Sequence, residues 1–200
     1  MIGAAYDLLA ERWLDAVFNP ENGLALHRRA LSFLDTGAGW ALNVGCGCSK
    51  RFNPLMREHG LLIEGVDMSQ RMIELAAQAD PDVLLHHADV QSWPMARPYR
   101  FISAWDSIWH VPLAGQRALM LKLMKALAPG GVFIFSAGGL DAPGEHVDDA
   151  MGPEVGYATL GIPGLLDVIT QAHCIVRHLE FDQAPEKHLA VIVQRPRAAR

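Results

Sequence analysis

The chain has 200 residues, half of them hydrophobic and a fifth charged, so we expect one domain, residues 1–200, with a sizeable core. The formal net charge of −5 is not that of a protein that binds nucleic acid. The chain has neither a signal-peptide pattern nor an apolar run of roughly 18 residues, so we expect a cytoplasmic protein with no membrane partner.

Residues 1–22 are predicted to form a helical cap at the edge of the domain. Leu9, Trp13 and Val17 recur at helical spacing, and Asn19-Pro20 ends the pattern. A second helix is predicted near residues 24–34. Its predicted buried face carries Leu24, Leu31 and Leu34, and its predicted exposed face carries His27, Arg28 and Arg29.

The middle of the chain alternates between short apolar runs and amphipathic segments, which is typical of a parallel sheet covered by helices on both faces. The predicted strands are 41–44, 61–66, 83–88, 101–105 and 132–135. The predicted helices are 51–59, 70–79 and 113–127. Ser69 is a suitable N-cap for the second of these helices, and Pro129-Gly130-Gly131 is expected to end the third.

Residues 138–157 are rich in glycine, proline and acids, and we interpret them as a lid-like insertion without regular secondary structure. A helix is predicted to begin near Pro163, and two strands follow at about 174–181 and 188–194. The short connection between these strands implies an antiparallel hairpin. The last strand is continuously apolar, which predicts burial on both faces, whereas its more polar partner suits an edge of the sheet.

Three predicted strands end in residues suited to nucleotide binding. Gly45-Cys46-Gly47 forms a tight turn after the first strand, and glycine lets the backbone approach a ligand closely. Asp67 follows the second strand about twenty residues later, where an acid accepts hydrogen bonds from ribose hydroxyls. Asp89 follows the third strand at a similar interval. Because the carboxyl ends of parallel strands share one edge of a sheet, we expect a nucleotide-like cofactor in one crevice.

Five motifs resemble those of class I S-adenosylmethionine-dependent methyltransferases, in the branch that acts on small molecules. They are Asn43-Val-Gly-Cys-Gly47, Glu64-Gly-Val-Asp-Met-Ser69, His87-Ala-Asp-Val90, Ser107-Ile-Trp-His-Val-Pro112 and Leu127-Ala-Pro-Gly-Gly-Val132. The resemblance implies a Rossmann-like, doubly wound α/β fold. Its seven-stranded, mostly parallel sheet would have the order 3-2-1-4-5-7-6 and end in an antiparallel C-terminal hairpin. S-adenosylmethionine would be the cofactor, and a small molecule the methyl acceptor.

The resemblance also assigns roles at the cofactor. The segment around Tyr6 folds over it, and Asn43 stands near the methionine ammonium group, where the family usually has an acid. Met68 lies against the adenine, Asp89 accepts from the adenine amino group, and Val90 offers its backbone N–H. The cofactor-binding set is therefore Tyr6, Asn43, Gly45, Cys46, Gly47, Asp67, Met68, Asp89, Val90 and Trp105, the last facing the sulfonium cation.

Catalytic residues are less distinctive in the sequence. His110 is a candidate base, although a histidine in this setting is equally suited to a structural hydrogen bond at the start of a helix. His146 and Tyr157, in the lid-like insertion, are the other catalytic candidates. Further candidates for contact with the acceptor or the methyl group are Asp106, Trp109, Glu145 and His188.

Two other functions stay open. The uncharged Asn43 also suits a non-catalytic protein that binds S-adenosylmethionine without turning it over. A nicotinamide-dependent dehydrogenase is the second alternative, but Lys50 stands where its fingerprint requires a small residue. We expect no metal site, because Cys46 and Cys48 have no second Cys/His pair at zinc-ligand spacing.

Overall fold

A seven-stranded sheet runs through the computed structural model, which describes residues 2–14 and 19–197. Its strands lie in the order β3-β2-β1-β4-β5-β9-β8, with β1 to β5 parallel and β9 antiparallel to both of its neighbours. The strands are β1 (Gly39–Val44), β2 (Leu61–Asp67), β3 (Leu84–His87), β4 (Tyr99–Ala104), β5 (Leu127–Gly138), β6 (Gly144–Asp148), β7 (Val155–Thr159), β8 (Ile175–Phe181) and β9 (His188–Gln194). The predicted strand order is confirmed: β8 and β9 are the predicted strands 6 and 7 and form the C-terminal hairpin, while β6 and β7 pair in a separate two-stranded sheet.

Helices cover both faces of the sheet, as the alternating pattern predicts. They are α1 (Ile2–Leu9), α2 (Leu24–Leu31), α3 (Asn53–Glu58), α4 (Gln70–Ala79), α5 (Leu113–Ala126) and α6 (Gly161–Gln171), with 3-10 turns at Ala10–Leu14 and Ile108–His110. The predicted cap of α4 is present, because the Ser69 hydroxyl accepts from the Met72 N–H at 3.1 Å. Among the described residues, no helix is both long and apolar enough to cross a membrane.

Two apolar layers hold the helices against the sheet, and β5 contributes to both. Phe133 and Phe135 point into the layer beneath α5 and α6, while Val132 and Ile134 point into the layer beneath α2 and α3. Residues 189–193 of β9 are fully buried, which confirms the predicted central position of the last strand. Both apolar layers contain side chains from the parallel strands and from β9, so both are built on the same sheet.

One predicted helix end and one predicted loop are wrong. Helix α5 ends at Ala126 and β5 begins at once, so Pro129-Gly130-Gly131 lies inside the strand. Its register against β4 shifts between Tyr99 and Phe101, and the extra β5 residues form a bulge that accommodates Gly130 at φ +77°. The lid-like insertion also has regular structure, because β6 and β7 pair as an antiparallel hairpin. Most of β6 is exposed, so this strand has no apolar alternation for a sequence pattern to reveal.

The predicted exposure of His27 is also wrong. This side chain is fully buried on α2, where its ring stacks on Phe52 with a centroid distance of 3.5 Å. A helix face that carries histidine beside two arginines suggests exposure, but histidine is buried readily once both ring nitrogens find partners. In the N-terminal segment, Leu9 is buried and Trp13 is half-buried, while Val17 lies outside the described residues.

Candidate functional site

A cleft of about 480 Å³ opens at the carboxyl ends of the central strands, beneath α1. The structure brings together all ten residues predicted to bind the cofactor: Tyr6, Asn43, Gly45, Cys46, Gly47, Asp67, Met68, Asp89, Val90 and Trp105 line this cleft. His110 lines it as well. These residues come from α1, from the ends of β1 and β2, and from the segments that follow β3 and β4.

The turn after β1 requires glycine for two reasons. Gly45 has φ +62° and Gly47 has φ +54°, a left-handed conformation that costs other residues roughly 1–2 kcal/mol. A Cβ atom on Gly45 would lie only 2.3 Å from the Ser107 Cβ, so any side chain there would collide with the segment after β4. The Ser107 hydroxyl in turn donates to the Val44 carbonyl at 2.9 Å. The glycine turn and the segment after β4 therefore form one rigid wall.

Asp67 fixes this turn from the neighbouring strand. Its carboxylate accepts from the backbone N–H of Gly47 at 2.8 Å and from that of Ser69 at 2.9 Å. Burial raises the pKa of Asp67, and the two backbone hydrogen bonds oppose that rise. Each carboxylate oxygen has more than one acceptor site, so the side chain can hold the turn and still receive ligand hydroxyls.

Helix α1 is fastened over the cleft by contacts at both sides. The Tyr6 hydroxyl hydrogen-bonds to His110 Nε2 at 2.7 Å. Asp7 accepts from the Ser69 hydroxyl at 2.6 Å and from the Arg71 N–H at 3.0 Å, and these bonds lower its pKa. Gly3 packs so closely that a Cβ there would lie 2.4 Å from the Met68 carbonyl oxygen. The N-terminal helix is therefore part of the cleft wall.

Both ring nitrogens of His110 have partners. Nδ1 is 3.0 Å from the Gly156 carbonyl, which can only accept a hydrogen bond, so this nitrogen carries the proton. Nε2 then accepts from Tyr6 and, at 3.0 Å, from the Trp109 indole N–H. Burial lowers the pKa of His110 to about 4, so the ring is neutral at pH 7. This geometry suits the structural interpretation of His110 better than the role of a free base.

His146 and Tyr157 lie outside the residues that line the cleft. They face each other across the β6–β7 hairpin, with stacked rings 5.1 Å apart, and His146 is exposed. Glu145 accepts from the Leu113 N–H at 2.7 Å and so caps α5. The acid that this insertion does place on the cleft is Glu154, which nothing in the sequence distinguishes from its acidic neighbours.

A buried charge network lies behind the end of β4. His188 Nε2 is 2.9 Å from Asp106 Oδ1, and its Nδ1 is 2.5 Å from Asp182 Oδ1. Burial lowers the pKa of His188, but the hydrogen bonds and charges of the two carboxylates together raise it above the ordinary value. Asp106 has φ +52° and is held there by Ser136, whose hydroxyl accepts from its N–H at 2.7 Å. His188 is thus a support for Asp106 and does not itself line the cleft.

His27 contacts the same wall of the cleft through Ser103 and Trp105. The Gly23 carbonyl, 2.8 Å away, accepts from Nδ1, and Nε2 accepts from the Ser103 hydroxyl at 2.8 Å. The ring also meets Trp105 edge-on, with centroids 5.3 Å apart. Complete burial lowers the pKa of His27 to about 3, so it is neutral at pH 7. Sequence reasoning missed this role because it depends on contacts among three distant segments.

The strand order, with an antiparallel strand inserted between β5 and the edge, and the glycine turn at the cleft define the class I methyltransferase fold. Sequence comparison agrees, since residues 41–131 match the family model described as "Methyltransferase domain". The central segment of the chain is therefore similar in sequence to methyltransferase domains.

One curated relative is dTDP-3-amino-3,6-dideoxy-alpha-D-glucopyranose N,N-dimethyltransferase from Streptomyces fradiae. It is 32% identical over 97 residues, which cover 46% of this chain but only 37% of the relative.

Solved structures show the same fold at low sequence identity. The 1,6-didemethyltoxoflavin-N1-methyltransferase of Burkholderia thailandensis, solved with 1,6-didemethyltoxoflavin and S-adenosylhomocysteine, has a TM-score of 0.74 at 15% identity, over 98% of this chain and 87% of that chain. The [4+2]-cyclase SpnF has a TM-score of 0.73 at 14% identity, over 98% and 96% of the two chains. Since a cyclase shares the fold, the activity has to be argued from the cleft.

Proposed function

We propose that the protein binds S-adenosylmethionine and transfers its methyl group to a small molecule. The observation that carries this proposal is the convergence of all ten predicted cofactor residues on one cleft beneath α1. The methyltransferase-domain match and the curated sugar N,N-dimethyltransferase support the same activity.

The cleft residues fit the cofactor along its length. We assign Asp67 and Asp89 to the hydroxyls and the base of an adenosine, and Met68 and Val90, which also line the cleft, to contacts with the base. The amino-acid end would lie at the glycine turn, beside Asn43 and Trp105, which line the same cleft. When bound, the cofactor would supply a methyl group already activated on a sulfonium. The residues of this chain align the acceptor and exclude water, with α1 as the cover.

The charges of the cleft indicate the acceptor class. The described residues that line it include the acids Asp67, Asp89, Asp106 and Glu154, against one charged base, Arg51, because His110 is neutral. An acceptor with several negative charges would be repelled, so we propose a neutral or cationic small molecule as the methyl acceptor.

Both ring nitrogens of His110 have hydrogen-bond partners, so we propose that His110 positions Tyr6 and α1. His146 and Tyr157 stay candidates for contact with a large acceptor. We further propose a cytoplasmic protein without nucleic-acid or membrane partners.

Calorimetry tests the cofactor. S-adenosylmethionine and S-adenosylhomocysteine should both bind, and NAD should not compete with either. Binding of NAD together with no response to S-adenosylhomocysteine would favour the dehydrogenase alternative. Incubation with S-adenosylmethionine and a panel of small amines, phenols and thiols, followed by measurement of S-adenosylhomocysteine, then tests turnover. Tight binding with no product from any acceptor class would favour the non-catalytic alternative.

A further inference from the structure

Arg51 is an arginine in the cleft wall whose side chain makes no hydrogen bond to another described residue. It lies four residues after Gly47, and its side chain is 17% exposed. Its Nε is buried and has no hydrogen-bond partner among the described residues. The guanidinium lies over the Phe52 ring, 4.6 Å from the centroid, a contact that holds the group without satisfying its donors. A buried donor without a partner is costly, so such a group in a ligand cleft calls for an acceptor from the ligand.

Asp106 provides the opposite charge beside it. Arg51 Nη2 and Asp106 Oδ2 are 3.8 Å apart, which is within ion-pair range but too long for a hydrogen bond. Asp106 cannot swing closer without breaking its other contacts, because Ser136 and His188 hold Oδ1 and Asn22 donates to Oδ2 at 3.1 Å. The positive and negative groups are therefore fixed side by side on the wall and left incompletely paired.

We propose that Arg51 and Asp106 together form a site for an α-amino-acid group. Arg51 receives the carboxylate and Asp106 receives the ammonium. The inference rests on the proposed use of S-adenosylmethionine and identifies which residues hold its amino-acid end. A ligand that carries both charges on one carbon atom matches a wall that presents both opposite charges a few ångströms apart. It also adds no net charge to a pair that is already neutral.

The position of the pair within the cleft agrees with this assignment. Asp67 ends β2 and Asp89 follows β3, whereas Asp106 follows β4, across the glycine turn, where Ser107 packs against Gly45. An adenosine held by the first two acids would direct its 5′ substituent past the turn toward Arg51 and Asp106. Asn43 lines the same region but is uncharged, so Asp106 is the carboxylate available to an ammonium group there.

Three ligands that differ only at the amino-acid end test the site. S-adenosylhomocysteine carries both charges, 5′-deoxy-5′-(3-aminopropylthio)adenosine lacks the carboxylate, and 5′-methylthioadenosine lacks both groups. A hydrogen bond to a charged group contributes roughly 1.5–3 kcal/mol, which is about tenfold or more in affinity. Arg51→Met should weaken S-adenosylhomocysteine at least tenfold and change the other two less than twofold. Asp106→Asn should weaken the first two ligands at least fivefold and leave 5′-methylthioadenosine unchanged.

Matched controls and contrary outcomes are available. Arg117→Met on the exposed face of α5 and Asp141→Asn in an exposed loop should leave all three affinities unchanged. Asparagine tolerates the positive φ of residue 106, and 5′-methylthioadenosine binding reports an intact cleft in each variant. Equal loss for all three ligands, or unchanged S-adenosylhomocysteine affinity, would overturn the inference. If Arg51→Met instead raised only the KM of an acceptor that carries a carboxylate, the site would belong to that acceptor. Failure of the wild type to bind any of the three ligands would instead refute the proposed cofactor.

Discussion

Replacing Asp67 with alanine should lower both the free energy of unfolding of the ligand-free protein and its affinity for the cofactor. Its carboxylate accepts the Gly47 and Ser69 N–H groups at 2.8 and 2.9 Å, and these donors would lose their partner. With about 1 kcal/mol for each hydrogen bond, urea unfolding should show a loss of about 2 kcal/mol. The same carboxylate is expected to receive two ribose hydroxyls, so calorimetry should show S-adenosylhomocysteine binding weakened more than tenfold.

Asp80→Ala is the matched control for this prediction. Asp80 also accepts several hydrogen bonds, from Asn53 at 2.8 Å and from both ends of the Arg57 guanidinium at 2.7 and 2.8 Å, but it does not line the cleft. This variant should lose stability to a similar extent and keep its affinity within about threefold. If both variants lost affinity equally, the Asp67 effect would be one of general destabilisation. If Asp67→Ala lost stability alone, the assigned contact with ribose would be refuted.

Three further predictions concern the turn, the buried histidine and the uncharged cleft residue. Gly45→Ala should lower the free energy of unfolding by more than about 2 kcal/mol, because a left-handed φ and the Ser107 Cβ both oppose a side chain. Gly156→Ala, where a Cβ meets no atom within 4 Å, should be far milder, and comparable losses would contradict the steric argument. His27 has a folded pKa of about 3 against about 6.5 when unfolded. Its contribution is therefore complete above pH 6.5 and decreases as the pH falls toward 3. Urea unfolding should show a smaller loss between pH 7 and pH 5 for His27→Gln than for the wild type, whereas parallel losses would refute the assignment. Asn43→Asp should tighten S-adenosylhomocysteine binding less than tenfold, since Asp106 already supplies a carboxylate; detectable binding only in the variant would favour the degenerate, non-catalytic alternative.

The sheet could be predicted because its buried strands have continuously apolar sequences. Strand β9 is apolar at every position from 189 to 193, and all of these residues are fully buried. Asp67 at the end of β2 and Asp89 after β3 have the spacing that parallel strands impose, so the sequence alone predicts that both lie at the cleft. The β6–β7 hairpin could not be predicted, because β6 is mostly exposed and its sequence therefore lacks the alternation of apolar and polar residues.

The cluster of charged groups around Asp106 could not have been predicted from the sequence. Asp106 and His188 are 82 residues apart, and they meet only because β9 inserts beside β5. The sequence suggests that Arg51 is an ordinary surface residue at the start of a helix, but its side chain is 17% exposed and lies over the Phe52 ring. His27 likewise becomes a core residue through Gly23 and Ser103. Spacing rules describe neighbours along a strand or helix, whereas these contacts depend on side chains from distant segments.

The insertion of the last strand between β5 and β8 has a consequence for synthesis on the ribosome. Until residues 188–194 emerge, β5 has an unpaired edge and both apolar layers lack the side chains of β9. His188 has also not reached Asp106, so the wall of the cleft is unsupported. The growing chain would therefore carry an unpaired sheet edge from the synthesis of β5 until residues 188–194 emerge. The wall of the cleft would be complete only after residues 188–194 have paired with β5, a long-range step.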